Sequence, residues 1–248
     1  MLKVRCVAAC ILLAAGSPTF AQRGGDLQAQ IIYAFQTEDL NRLHDLVENL
    51  DAKVADGAAD ADLRYQLAHA QYRYAEVGGG HFAAAAQAAA ADCVAQLQWV
   101  LERNSRSVEA LALQSACYAQ LADWRRFEAV FLRARAAARL RAAFRLAPRN
   151  PRVLLLMATE ALAHASPASA AARTALKRLR TAARLFERLP ATRVDAPGWG
   201  HAEAYLALGK ELRLRGDLLG ARNWVERALI AAPDYKAAQR EISLIEKR

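Results

Sequence analysis

Five histidines, His44, His69, His81, His164 and His201, are the side chains best suited to metal or acid–base chemistry in this 248-residue chain. None pairs with another at metal-ligand spacing, and no His-Glu-x-x-His occurs. A nucleophile elbow and a phosphate-loop lysine motif are missing as well. Gly78-Gly79-Gly80-His81 could cradle an anion on helix-opening amides, but a plain inter-helix loop uses the same residues. Acidic pairs fall only at helix starts or on solvated faces. The sequence therefore predicts a non-enzymatic protein with no metal and no cofactor.

Two other groups of residues could still do something. Arg173, Lys177, Arg180, Arg184 and Arg188 follow one another at steps of 4, 3, 4 and 4, one continuous stripe of a helix. Leu176, Leu179, Ala183 and Phe186 make a separate apolar stripe on the same segment. The basic stripe is either a solvated face opposite the acidic residues of 38–62 or a dock for an anionic envelope polymer or acidic protein. Cys93 and Cys117 are the second group. A turn centred near Ser105 lies 12 residues from each, and equidistant residues of an antiparallel helix pair stand at equal height. They can form a disulfide, worth roughly 3 kcal/mol through loop closure, or stay free as small buried apolar residues.

The elements that must position these residues are all helical. Roughly a quarter of the chain is alanine, the best helix former and a poor strand former. Apolar residues recur at helical spacing from 26 onward, broken by short Gly, Pro, Asp and Ser signals. The pattern predicts helices over 26–35, then one capped by Thr37, then a helix reaching about residue 75. Further helices are expected over 81–103, 108–121, a very long stretch from 124 to 146, 152–164, 169–189, 200–214, 218–231 and 234–246. The longest loop is 190–198. No segment reads as a strand.

Residues 1–21 read as a signal peptide, with Lys3 and Arg5 followed by an apolar run over 6–16 and Thr19-x-Ala21 at its end. Its 11 apolar residues are too few to cross a hydrocarbon core of about 30 Å. The mature chain is expected to begin near Gln22 and to be periplasmic or secreted, where Cys93 and Cys117 meet an oxidising compartment. It is not expected to span a membrane or to bind nucleic acid. Charge is unevenly placed: 22–123 carries 7 basic and 14 acidic residues, and 124–193 carries 16 basic and 3 acidic.

The last helix pair carries a motif. Tyr205-x2-Leu208-Gly209-x2-Leu212, Gly216-Asp217, Ala221-x3-Val225, Ala228 and Pro233 resemble the 34-residue tetratricopeptide repeat (TPR), with Tyr205, Leu212 and Val225 substituting for the usual aromatic residues. Tyr118-x3-Ala122-Asp123 and Pro148-x-Asn150-Pro151 repeat parts of it more loosely. The chain resembles exported bacterial repeat proteins with enlarged, degenerate repeats. The resemblance implies an all-α, antiparallel helix-pair solenoid, a right-handed superhelix. It divides the chain into N-terminal helices over 22–61 and a repeat domain over 62–248, with the best repeat at 202–235 and a cap helix over 234–247.

The resemblance also implies which side chains line the concave face. Carried over residue by residue, these are Tyr65, His69 and Tyr72, then Glu109, then Glu203, Lys210 and Arg213. Tyr65, His69 and Tyr72 share one helix face, as a peptide-binding surface or as half-buried packing. The function so implied is protein–protein interaction in the cell envelope, with a partner protein or peptide held in the concave face. The rival is a structural or anionic-polymer-binding protein that uses the Arg173–Arg188 stripe.

Overall fold

The structure, a computed structural model, describes residues 20–57, 60–189 and 197–247. The expected leader over 1–21 lies outside them apart from its last two residues. Among the described residues the chain forms helices and no strand. They are α1 (Phe20–Gln36), α2 (Leu40–Ala55), α3 (Ala61–Gly78), α4 (Ala83–Arg103), α5 (Val108–Trp124), α6 (Ala129–Leu146), α7 (Pro151–His164), α8 (Ala170–Glu187), α9 (His201–Leu214), α10 (Leu218–Ala231) and α11 (Lys236–Glu246). Each packs against its sequence neighbour, so the chain builds a solenoid of antiparallel helix pairs.

Short polar residues start these helices by accepting backbone N–H groups that have no partner inside the first turn. Asp60 accepts from Leu63, Ser107 from Ala110, Ser169 from Ala172 and Asp217 from Gly220. Asn150 caps α7 just ahead of Pro151, whose missing N–H costs nothing at that position. Asp39, not Thr37, caps α2. The Thr37 hydroxyl instead donates back to the Tyr33 carbonyl at 2.8 Å and closes α1.

The very long helix expected over 124–146 is shorter and starts later, because α5 runs on to Trp124. Its apolar periodicity conceals a turn at 125–128, after which α6 runs for 18 residues. The second helix of that pair exceeds the 14-residue α10 by about one turn. Gly209 has a packing reason: a side chain there would drive into Val225 and the Ala221 carbonyl, so α9 and α10 approach backbone to backbone.

Cys93 on α4 and Cys117 on α5 are fully buried and joined as a disulfide, with Cα atoms 6.2 Å apart. Helix α11 lays Ala238 and Ile245 over the preceding pair. Glu241 turns inward there as well and is held by Arg213.

Candidate functional site

Helix α3 places Tyr65, His69, Tyr72 and Arg73 on its inner side, because these positions recur at three- and four-residue steps. Tyr65 is 7% exposed and His69 1% exposed. They do not line an open surface. The segment 197–200 covers them: Trp199 is buried, and its indole Nε1 donates to the Tyr65 hydroxyl at 3.0 Å. The Arg152 guanidinium donates to the Trp199 carbonyl at 3.0 Å and pairs with Glu109, which also accepts from Asn150 at 2.8 Å.

The first helix covers the rest. Arg73, 3% exposed, donates to His69 Nε2 at 3.3 Å, to Glu76 at 2.8 Å and to Glu203 of α9. Its guanidinium lies 3.9 Å from the Phe35 ring centroid. Phe35 in turn packs on Tyr235, the Tyr33 hydroxyl donates to Asp234, and Arg240 donates to Glu38 at 2.7 Å. Gln28 accepts from the Gly198 amide at 2.8 Å. The two ends of the solenoid therefore meet, and α1 lies on the inner face between them.

This arrangement corrects most of the expected concave-face set. Tyr65 and His69 are core residues, while Glu109, Glu203 and Arg213 are spent on Arg152, Arg73 and Glu241. Lys210 is exposed. Tyr72 is half-buried and borders a cleft of about 200 Å³ between α3, α5, α6 and α7. Ser115, Ala116, Ala119 and Gln120 of α5 line it, with Asp123 and Glu160 as its acids. Gln120 donates to the Tyr72 carbonyl at 3.3 Å, and its own side-chain oxygen has no partner there.

Sequence reasoning passed over Trp199, Arg73, Arg152 and Phe35. Arg73 did carry a signal, four residues after His69 on the same stripe. Arg152 looked like an ordinary first-turn arginine, and Trp199 sat in a Pro/Gly connection with no periodicity to read. Among the described residues no group of three or more histidines, cysteines or carboxylates is placed to hold a metal.

Burial, then the charges of Arg73 and Arg152, push the His69 imidazole well below its ordinary 6.5. The folded protein holds it neutral, and the unfolded chain takes up the extra proton. Stability is therefore complete above pH 6.5 and is expected to fall below it by about 1.4 kcal/mol per pH unit. His201, also held low by burial, acts in the same direction. Urea titrations on either side of 6.5 measure the slope. His69→Gln should flatten it, and a slope unchanged by that substitution rejects the assignment.

The basic stripe is where the sequence put it. Arg173, Lys177, Arg180, Arg184 and Arg188 are exposed, with Leu176, Leu179, Ala183 and Phe186 buried on the other side of α8. The acidic residues of 38–62 do not face it: α8 packs on α7 and α9. The three carboxylates of the 124–193 stretch are engaged elsewhere, Glu128 with Arg125, Glu160 with His164 and Glu187 with Arg227.

Among solved structures the chain is similar to the crystal structure of TTC0263, a thermophilic TPR protein of Thermus thermophilus. The likeness covers 92% of this chain and 100% of that one, with a TM-score of 0.64 and 17% sequence identity. The chain has the tetratricopeptide-repeat fold. No family model matches it, and no curated protein matches it either. In this TPR fold the helix pairs are α3–α4, α5–α6, α7–α8 and α9–α10, followed by α11. The degeneracy of the sequence is in the lengths of its second helices: α4, α6 and α8 have 21, 18 and 18 residues against 14 in α10.

Proposed function

We propose that this protein is a non-enzymatic interaction scaffold of the bacterial cell envelope, which holds a partner protein or peptide on the inner face of its helical array. The observation that carries the reading is the cleft at Tyr72, Ala116, Ala119 and Gln120, an inner-face opening that α1 and Trp199 leave free. Small residues there let a partner side chain approach the helices closely, and Asp123 and Glu160 favour a basic one. A photo-crosslinker at Thr159 should capture the partner in the producing cell. Ala119→Arg, which fills the cleft from a half-exposed position, should abolish that capture. Capture unaffected by Ala119→Arg removes the cleft from the reading.

A second reading, docking to an anionic envelope polymer, is favoured by the exposed stripe of α8, which has no carboxylate partner among the described residues. Salt separates the two. A dock through exposed charges releases sharply as ionic strength rises, because the Debye length shrinks to about 3 Å at 1 M salt, whereas insertion into a cleft does not. The envelope setting has its own test. Amino-terminal sequencing of the exported product should find a start near Gln22, and an intact Met1 on a cytoplasmic product overturns it.

A further inference from the structure

Among the described residues one group of exposed large apolar side chains lies at one corner, the start of α6, apart from Tyr33, Leu214, Leu219, Ile230 and Leu244 elsewhere. Phe127 is 103% exposed, Val130 79% and Phe131 74%, and their spacing puts them on one side of the start of α6. Phe82, 57% exposed, lies in the turn before α4. That turn reaches the end of α5, just ahead of Phe127: a side chain built on Gly79 would begin 3.1 Å from the Trp124 ring. A cluster of exposed large apolar side chains marks a candidate interaction surface. It protrudes from turn tips, so it is no groove for a peptide.

Arginines surround the corner and continue away from it. Arg125 and Arg126 lie immediately before Phe127, and Arg133 one turn after Val130. From Phe127, in the turn ahead of α6, an exposed stripe continues along the helix through Phe131, Ala134, Ala138, Arg141 and Arg145, aromatic at one end and basic at the other. The ion pairs of Arg125 with Glu128 and Arg133 with Asp123 are at the surface, where such pairs hold weakly and can be exchanged for phosphate. The whole 124–193 stretch has 16 basic residues against 3 acidic.

We infer that this corner docks the protein on an anionic phospholipid bilayer, with Phe82, Phe127, Val130 and Phe131 entering the interface and Arg125, Arg126, Arg141 and Arg145 meeting the phosphates. Aromatic residues with a basic surround are what an interfacial helix needs: apolar area supplies depth, and cations supply attraction to anionic headgroups. A second copy of the chain does not fit, because a self-complementary contact here would bring Arg125 and Arg126 of both copies together. No helix among the described residues is long and apolar enough to cross a membrane, so this is attachment at the surface. The inference concerns the outside of α6 and stands apart from the inner-face cleft.

Co-sedimentation of the chain, as purified from its producing cell, with two kinds of vesicle is the test. One is phosphatidylglycerol and phosphatidylcholine in equal parts, the other phosphatidylcholine alone. The chain should bind the first far better, and salt should weaken the binding. Phe127→Ser with Phe131→Ser should cost about a hundredfold, since each buried phenylalanine is worth about tenfold. Arg125→Glu with Arg126→Glu should cost more than the roughly fivefold per basic residue that neutralisation alone removes. Thermal melts should be unchanged, because all four side chains are outside the core. Equal binding to both vesicles overturns the inference. So does binding that neither double variant weakens, which would trace it to the amino-terminal leader or to α8. Loss of an acidic protein partner by the variants, without any vesicle binding by the parent, also overturns it and reassigns the corner to protein.

Discussion

Replacing Arg73 with methionine is expected to destabilise the fold by about 3–5 kcal/mol, the usual cost of removing one member of a buried ion pair. Arg73 is 3% exposed and donates to Glu203, Glu76 and His69 at once. Without it the Glu203 carboxylate, only 14% exposed, has one amide donor left, that of Gly200. His69 Nε2 loses its donor, and the Phe35 ring loses the cation against which it packs. Arg73 also joins α3 to α9 across 130 residues of chain, so the loss should loosen α1 and the C-terminal end together. Urea unfolding measures the change. Glu203→Gln in the same chain should restore part of the loss, because the stranded charge goes with it. A loss below about 1 kcal/mol would mean that Arg73 behaves as a surface pair.

Cys93→Ala with Cys117→Ala should lower stability by about 3 kcal/mol, and reduction of the parent chain should do the same. The bridge closes a separation of 24 residues between α4 and α5, both ends at 0% exposure. Its main effect is on the unfolded chain, which it deprives of conformations, so the loss should appear without change in the native helix content. Thiol titration of the denatured, unreduced protein carrying Cys6→Ser and Cys10→Ser checks the premise. Two free thiols per chain would reject the bridge and leave two buried apolar cysteines.

The helical class, the pairing of neighbours and most helix ends were legible in the sequence because they are local. Ser107, Asn150-Pro151, Ser169 and Asp217 act within one turn of where they stand. The 3.6-residue periodicity of α8 likewise separates its arginine stripe from its leucine stripe, whatever the rest of the chain does. The turn between α5 and α6 falls at 125–128, a few residues beyond the end read for α5, because a short turn barely interrupts the periodicity on either side. The Asp39 cap was missed because Thr37 and Asp39 are both good caps, and the Thr37 hydroxyl found a nearer acceptor.

What the sequence determined by itself is a row of antiparallel helix pairs with a repeat-type last pair. What only the tertiary structure decided is the occupancy of the inner face. Tyr65, His69 and Tyr72 share a helix face in any account of the chain, but whether that face meets solvent depends on Trp199, 134 residues from Tyr65, and on Phe35 of the first helix. Such contacts follow from how far the solenoid turns before its ends meet, a quantity summed over every helix crossing. No local pattern encodes it, because each crossing angle is set by side chains packing across the pair, not by periodicity within one helix.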